Sequence, residues 1–141
     1  MKTLHTFCLA FILLATTICA KADEPTAAKF TRLYTLSSYV NTIVKGQVAG
    51  FEAALDPSVT FSVMRGQKVV TYSKEDMLDF IKKNKGVVQN CITTTTQIQS
   101  NSDMCVMKVD MKYENFTRSN YITMANTGDG WKITNVHSVF K

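Results

Sequence analysis

GWKITNVHSVF, residues 130–140, is the stretch of sequence that decides the fold of this chain. We interpret it as an alternating β-strand in which Trp131, Ile133, His137 and Val139 share the inward face. A strand with one apolar face must pack against other elements to bury that face. We therefore predict that residues 130–140 close an antiparallel sheet.

The segments that precede this strand show the same period of two. We predict four antiparallel strands, at residues 91–98, 104–113, 119–126 and 131–140. Turn-forming residues separate them. The pattern is clearest in the second strand, where Cys105, Met107, Val109 and Met111 alternate with Lys108, Asp110 and Lys112. One face of the sheet should therefore be packed and the other exposed to water.

Helical spacing marks the beginning of the domain. We predict a first helix over residues 30–44, with a buried stripe formed by Phe30, Leu33, Tyr34, Ser37, Val40 and Val44. A short second helix is predicted over residues 47–55. Asp56-Pro57 should end it, because the residue before a proline is displaced from the α region.

A hairpin and a third helix follow. Residues 58–64 and 68–72 alternate around a turn at residues 65–67. Ser73 and Asp76 resemble a capping box at the start of the third helix, and Gly86 follows its last turn. Its predicted buried face consists of Met77, Leu78 and Ile81.

The order of these elements predicts the α+β class, because the helices precede and flank an antiparallel meander. A sheet of about six strands must twist and curl. Curled over three helices from the first half of the domain, it should form a cone with a hollow interior.

The N-terminal segment is typical of a secretion signal. Lys2 is followed by an apolar run, FCLAFILLA at residues 7–15, which is too short to span a bilayer. Cleavage is predicted after Ala22, with Ala20 as the second option. We predict a signal peptide over residues 1–22 and a single domain over residues 23–141, exported to the periplasm or secreted. An uncleaved anchor and a lipid-modified Cys19 are the less favoured alternatives.

The charge of the chain argues against a nucleic-acid partner. The formal net charge is +5 and falls to +3 when Lys2 and Lys21 are removed with the signal peptide. The densest basic group, at residues 82–85, complements the dipole at the end of the third helix. Nucleic-acid binding requires more basic residues on one face. No membrane span is expected after cleavage.

Several short sequence segments resemble those of the nuclear transport factor 2-like superfamily. They are YVNTIVKGQVAGFEAAL at residues 39–55 with VTF at 59–61, SKED at 73–76, and GWKI at 130–133 with His137. The likeness is greatest to small exported bacterial members of the SnoaL-like or "putative lumazine-binding" type. The resemblance implies the cone fold and a homodimer formed through the sheet. It implies no single activity, since the superfamily includes isomerases, dehydratases, transport factors and binding proteins.

The residues for the catalysis known in this superfamily are not in place. An isomerase-type site needs a carboxylate as general base, and the matching stretch at residues 61–64 contains none. Asp56 is interpreted as a turn residue. A dehydratase-type site would pair His137 with an aspartate, but a lone histidine on an apolar strand is more often a hydrogen-bonded core group. We predict no catalytic residue, and an enzyme that uses His137 is kept as an alternative.

Cys91 and Cys105 are predicted to remain free thiols. With a turn centred on Asn101-Ser102, Ile98 would oppose Cys105, and the two cysteines would be about 23 Å apart along the sheet. A disulfide requires Cα atoms within about 7 Å of each other. The domain offers at most three soft metal ligands, whereas structural zinc sites use four. We predict neither a metal nor a cofactor.

The expected inward side chains combine apolar surface with a few polar groups, as ligand pockets do. The candidates are Tyr34, Phe61, Met107, Val109, Met111, Tyr121, Thr123, Trp131 and His137. For each of them a filled core is the structural alternative. The first hypothesis is an exported protein that binds an unidentified small apolar molecule. The second is a homodimeric interaction module with a vestigial pocket.

Overall fold

The computed structural model describes residues 30–141. They form the helices α1 (Arg32–Lys45), α2 (Phe51–Ala54) and α3 (Lys74–Lys83). The strands are β1 (Leu55–Arg65), β2 (Lys68–Tyr72), β3 (Ile92–Ser100), β4 (Met104–Lys112), β5 (Thr117–Thr127) and β6 (Gly130–Phe140). The predicted signal peptide lies outside the described residues. Within them, none of the helices has the length and apolar character needed to cross a membrane.

All six strands belong to one sheet with the order β2-β1-β6-β5-β4-β3. Neighbouring strands are antiparallel, except that β1 and β6 are parallel. The last strand therefore lies in the middle of the sheet and joins the early hairpin to the later meander. The predicted α+β architecture, with three helices and a mostly antiparallel six-stranded sheet, is confirmed.

The ends of α1 follow from its sequence. The Thr31 hydroxyl accepts a hydrogen bond from the Tyr34 N–H at 3.1 Å and caps the first turn. Gly46 ends the helix in a left-handed conformation with φ of 65°. A Cβ at position 46 would lie 2.7 Å from the backbone nitrogen of Gly86, so the chain after α3 packs tightly against this end of α1.

The buried face of α1 differs from the predicted stripe. Leu33 is 74% exposed, and the buried residues are Thr35, Leu36, Ser38, Tyr39 and Thr42. Small hydroxyl side chains let the helix approach the sheet closely while their polar groups stay bonded. The Thr35 hydroxyl donates to the Trp131 carbonyl oxygen at 2.8 Å. The pattern of hydrophobic residues therefore predicted the wrong face of α1 to be the one that packs against the sheet.

The second helix is shorter than predicted. Residues 47–50 are not helical, and α2 begins only after Gly50, whose φ is 78°. Asp56 and Pro57 lie inside β1 instead of ending a helix. A register shift between Leu55 and Thr60 accommodates them, because a proline is tolerated where the ladder is interrupted.

A bulge in β6 changes which of its residues face inward. Thr123 pairs with Asn135 and Met124 pairs with Ile133, so Thr134 is an extra residue in the ladder. One inserted residue moves every following side chain to the opposite face. The strict alternation predicted for residues 130–140 is therefore wrong beyond position 133.

Four residues that were predicted to face inward, Tyr121, Thr123, His137 and Val139, lie on the outer face of the sheet. The bulge turns His137 and Val139 outward, where His137 pairs with Tyr121. Tyr121 and Thr123 face outward because the fully buried Ile122 and Met124 set the parity of β5. The inward prediction for these four residues is thus wrong.

The inner face of the sheet and α1 enclose one apolar core. The largest fully buried apolar side chains are Tyr39, Phe51, Val109, Met111, Ile122, Met124, Ile133 and Val136. Burial of each aliphatic side chain of this kind contributes about 1.5–3 kcal/mol. The predicted inward face of β4 is confirmed at Cys105, Val109 and Met111, each at most 1% exposed.

The two cysteines are free thiols. Cys105 pairs with Ser100 and not with Ile98, because the turn between β3 and β4 is centred on Ser102-Asp103, one residue later than predicted. Cys91 precedes β3 at the opposite end of this ladder.

Candidate functional site

A cleft opens between α3 and the sheet. Its largest cavity has a volume of about 470 Å³ and is lined by Val63, Arg65, Tyr72, Asp76, Met77, Phe80, Arg118 and Phe140. A second cavity of about 160 Å³ lies on the side of α3 that faces the end of α1. Met77, Phe80 and Arg118 line both cavities, so the two adjoin. We call the combined space the Arg118 cleft.

Helix α3 forms one wall of the cleft, and the predicted capping box fixes where it starts. Asp76 accepts hydrogen bonds from the Ser73 N–H at 2.9 Å and the Ser73 hydroxyl at 2.8 Å. The Ser73 hydroxyl in turn accepts from the Asp76 N–H. The hydrogen bonds from Ser73 lower the pKa of Asp76. Asp76 lines the cleft, but its carboxylate is committed to the start of the helix.

The helix is anchored lightly. Of its ten residues only Ile81 is buried, while Met77 and Leu78 are half-buried and Phe80 is 57% exposed. The loop that follows is tied to α1, since the Gly86 N–H donates to the Gly46 carbonyl at 3.0 Å. Helix α3 therefore covers one side of the sheet and leaves space beneath Phe80.

The floor of the cleft is a polar network on the inner face of β5 and β6. Arg118 donates from Nε to the Asn120 side-chain oxygen at 2.8 Å and from Nη2 to the Ser138 hydroxyl at 3.3 Å. The Ser138 hydroxyl donates to the same Asn120 oxygen at 2.6 Å. Asn120 and Ser138 are buried and Arg118 is half-buried. The neutral pair thus fixes the guanidinium in one orientation.

The charge of Arg118 affects the pKa of two nearby tyrosines. Burial raises the pKa of Tyr39 to about 12, and the nearby guanidinium opposes that rise. Burial also raises the pKa of Tyr113, again against the effect of Arg118. The Tyr113 hydroxyl donates to the side chain of Gln89 at 3.0 Å, and Gln89 lines the smaller cavity. Arg118 therefore sets a positive potential inside the cleft.

Aromatic side chains border the opening. Phe80 on α3 and Phe140 at the end of β6 are 57% and 50% exposed and both line the larger cavity. We call these two residues the aromatic rim. The Arg118 guanidinium lies 5.9 Å from the centre of the Phe140 ring. The ring centres of Phe116 and Phe140 are 6.0 Å apart.

The nine candidates from the sequence occupy three other environments. Phe61, Val109 and Met111 are part of the filled core, and Met107 and Trp131 pack against it. Tyr34 makes an edge-to-face contact with Phe30 at 5.7 Å. Tyr121, Thr123 and His137 lie on the outer face of the sheet. None of the nine lines the Arg118 cleft, and their role in ligand binding remains a prediction.

The sequence reasoning missed Arg118, which it assigned to a turn. A signal was available, because Arg118, Asn120, Ile122 and Met124 form one alternating series. Once Ile122 and Met124 are recognised as the inward pair, the parity places an arginine on the same face. Phe80 carried no comparable signal, since its helix position lies beside the predicted apolar stripe.

The outer face of the sheet carries a shallower groove of about 370 Å³. Lys108 and Asp110, which line this groove, form an ion pair at 2.9 Å. Burial raises the pKa of Asp110, but hydrogen bonds from Ser119 and Lys108 outweigh this effect and the pKa is lowered overall. The charges in this groove therefore already neutralise one another in part.

The inward side chains of the first strand supply no general base. On β1 they are Val59, Phe61 and Val63, and none of these side chains can accept a proton. Within residues 30–141, no three His, Cys, Asp or Glu side chains converge on a point that could hold a metal ion.

Comparison with known proteins supports the fold. The sequence profile of the family described as "Putative lumazine-binding" matches residues 31–140. No functionally curated protein matches the sequence.

Three solved structures illustrate the similarity. A nuclear transport factor 2-like protein of unknown function from Methylobacillus flagellatus superposes with a TM-score of 0.63 at 21% identity, over 77% of this chain and 88% of that one. A protein of unknown function from Pectobacterium atrosepticum gives 0.61 at 13% identity, over 82% and 91%. A "putative ketosteroid isomerase" from Parabacteroides distasonis gives 0.53 at 13% identity, over 77% and 86%. At these identities the likeness extends to the fold alone.

Proposed function

The chain belongs to the "Putative lumazine-binding" family, and we propose that it binds a small molecule in the Arg118 cleft. The observation that carries the proposal is the cavity of about 470 Å³ between α3 and the sheet, with a fixed polar floor and apolar walls. Ligand pockets typically have volumes of about 300–1,000 Å³ and a few placed polar groups among apolar ones.

The chemistry of the walls supports an apolar ligand body. Val63, Met77 and the aromatic rim contribute aliphatic, thioether and aromatic surface. Methionine adapts to irregular shapes, and aromatic rings at an opening can pack against a flat ligand. Exposed aromatic side chains that border a cavity are also a common mark of a binding groove.

Filling the cavity tests this proposal. Val63→Trp places an indole in the larger cavity, and Val69→Trp is the matched control, because Val69 is 57% exposed and lies outside the cleft. The probe is the neutral fluorophore N-phenyl-1-naphthylamine. We expect the affinity of the protein for this probe to fall about tenfold or more in Val63→Trp. Loss of the apolar contacts in the filled cavity should cost roughly 1.4 kcal/mol or more of binding free energy. Val69→Trp should bind like the wild type.

Native mass spectrometry of protein purified gently from its own host gives an independent readout. A reproducible extra mass of small-molecule size should accompany the wild type and be absent from Val63→Trp. A wild-type protein that carries no such mass and does not bind the neutral fluorophore would refute the proposal.

We also propose that the mature protein is exported, on the basis of the N-terminal sequence. The apolar run at residues 7–15 and the small residues Ala20 and Ala22 support a cleaved signal. N-terminal sequencing of the protein from the extracytoplasmic fraction should give a chain that starts at Asp23 or Lys21. Full-length protein in the cytosolic fraction would contradict it.

A second copy of this chain is the proposed partner for the outer face of the sheet. That face presents Tyr121, Thr123 and His137 on the central strands β5 and β6, and a two-fold axis would bring each patch against its equal. Light scattering of the mature protein should report a dimer, and Thr123→Arg on both copies should give a monomer. A wild-type monomer at about 10 μM, a concentration at which stable dimers persist, would exclude this assembly.

A further inference from the structure

Arg118 is held as a cation by neutral groups alone. Its two hydrogen bonds go to the side chains of Asn120 and Ser138. In residues 30–141 the single ion pair joins Lys108 and Asp110, so no carboxylate lies within 4 Å of the Arg118 guanidinium. A guanidinium has five N–H donors, and a half-buried charge without a counter-ion is unfavourable. The remaining donors have no acidic partner among residues 30–141.

The acid that shares the cleft with Arg118 is committed elsewhere. Asp76 lines the larger cavity, but its carboxylate accepts two hydrogen bonds from Ser73 at the start of α3. Moving it toward Arg118 would uncap the helix, at a cost of about 1 kcal/mol. The Asp76 carboxylate therefore stays at the start of α3, and the Arg118 guanidinium stays at the floor of the cleft.

The neutral network also orients the guanidinium for a ligand. Asn120 and Ser138 fix the Nε edge and one terminal nitrogen through bonds of 2.8 and 3.3 Å. Asn120 is itself held, since its amide donates to the Val109 carbonyl at 3.4 Å. A planar guanidinium held in one orientation can bind two oxygens of an oxyanion at once, which makes charge-assisted bonds stronger and more specific.

Apolar surface lies directly above this cation. Met77 and Phe80 border both cavities together with Arg118, and the Phe140 ring centre is 5.9 Å from the guanidinium. A ligand that pairs with Arg118 in the larger cavity would therefore place its apolar part against these side chains.

We propose that the ligand of the Arg118 cleft is a small apolar molecule with one oxyanion group, of the carboxylate type, which pairs with the Arg118 guanidinium. This inference rests on the proposed function, because it requires a ligand in the same cleft. It goes beyond a purely apolar ligand, since it assigns the charge and the orientation of the bound molecule.

Two fluorophores with the same aromatic body separate the charge from the apolar contacts. 8-Anilino-1-naphthalenesulfonate carries an oxyanion, and N-phenyl-1-naphthylamine lacks it. In Arg118→Gln we expect the affinity for the sulfonate to fall about tenfold or more, because a charge-assisted pair is lost. The affinity for the neutral probe should change less than twofold. Lys112→Gln, which removes the same charge from the exposed outer face, is the control and should change neither affinity.

Arg118→Lys and the salt dependence of the wild type protect the test against a variant that fails to fold. Lysine keeps the charge, so it should retain part of the preference for the sulfonate. Sulfonate binding by the wild type should weaken as NaCl is raised from about 0.05 to 0.5 M, while binding of the neutral probe should not weaken.

The outcomes distinguish the two proposals. In the first outcome, the wild type binds the neutral probe, Val63→Trp weakens that binding, and neither Arg118→Gln nor salt changes the affinity for the sulfonate. The oxyanion inference is then overturned, while the cleft remains a binding site. If neither probe binds the folded wild type, the proposed function itself is overturned. Loss of sulfonate binding in Lys112→Gln would assign the probe to the outer groove and also overturn the inference.

Discussion

Two arginines on the side of the sheet that faces the helices are used in opposite ways. The Arg32 guanidinium stacks 4.1 Å above the Trp131 ring and donates to the Ser100 hydroxyl at 2.6 Å and to the Asn101 carbonyl. These contacts hold the N-terminus of α1 against the sheet. Arg118 has neutral partners and faces a cavity of about 470 Å³.

The surroundings of the two arginines show the same contrast. At the closed end, which we define as Phe30, Arg32, Gly130, Trp131 and Lys132, basic side chains lie on aromatic rings and Gly130 lies close to Phe30. Lys132 lies 3.4 Å above the Phe30 ring and donates to the Ala53 carbonyl at 2.6 Å. Burial accordingly lowers the pKa of Lys132. Both arginines have neutral hydrogen-bond partners, so the adjoining cavity is the difference that makes Arg118 and not Arg32 a candidate for binding a ligand.

The largest expected effect breaks the closed end. Gly130 has a φ of 94°, and a Cβ there would lie 2.8 Å from the Phe30 Cβ. Gly130→Ala should lower the free energy of unfolding by about 3 kcal/mol, through backbone strain and displacement of Phe30. Gly128→Ala in the same turn meets nothing within 4 Å and should change it by less than about 0.5 kcal/mol. Denaturant unfolding measures both, and equal stabilities would show that the closed end is not tightly packed.

An intermediate effect is expected when each arginine is replaced by methionine. Arg32→Met loses two hydrogen bonds and the stacking on Trp131, and should destabilise the protein by about 2 kcal/mol. Arg118→Met should stay within about 0.5 kcal/mol of the wild type, since it removes a half-buried charge that has no acidic partner in the described part of the chain. Thermal unfolding of the two variants checks this. A large destabilisation by Arg118→Met would make Arg118 a structural residue like Arg32.

The smallest effect concerns the pH dependence of stability that the core residue Tyr39 causes. The pKa of Tyr39 is raised to about 12 in the folded protein, so the fold favours the neutral phenol. Above pH 10 the unfolded chain loses this proton first, binds fewer protons than the folded protein, and stability falls with rising pH. Between pH 10 and 11 the wild type should lose about 1 kcal/mol more than Tyr39→Phe. Parallel stability curves for the two proteins would show that Tyr39 is not buried as a phenol.

The architecture was predictable because it depends on local signals. Residues 104–112 alternate so regularly that β4 was placed almost to the residue, and Ser73 with Asp76 marked the start of α3 correctly. Glycine and capping residues act over a few positions, and the chain reveals them without tertiary information.

The face of each element was less predictable. Hydrophobicity chose the wrong stripe of α1, because Thr35 and Thr42 are buried with their hydroxyls bonded while Leu33 is exposed. A bulge at Thr134 turned His137 outward. Such a bulge depends on the pairing partner, since an extra residue is defined only against a neighbouring strand.

The sequence by itself determined the α+β class, the order of helices and strands, and the apolar character of the inward face of β4. The tertiary structure decided that β6 lies between β1 and β5, that Arg118 points into a cleft, and that most of the predicted pocket residues fill a core or face outward. The physical reason is that periodicity fixes which residues share a face within one element, whereas a cavity exists only where the packing of several elements leaves space.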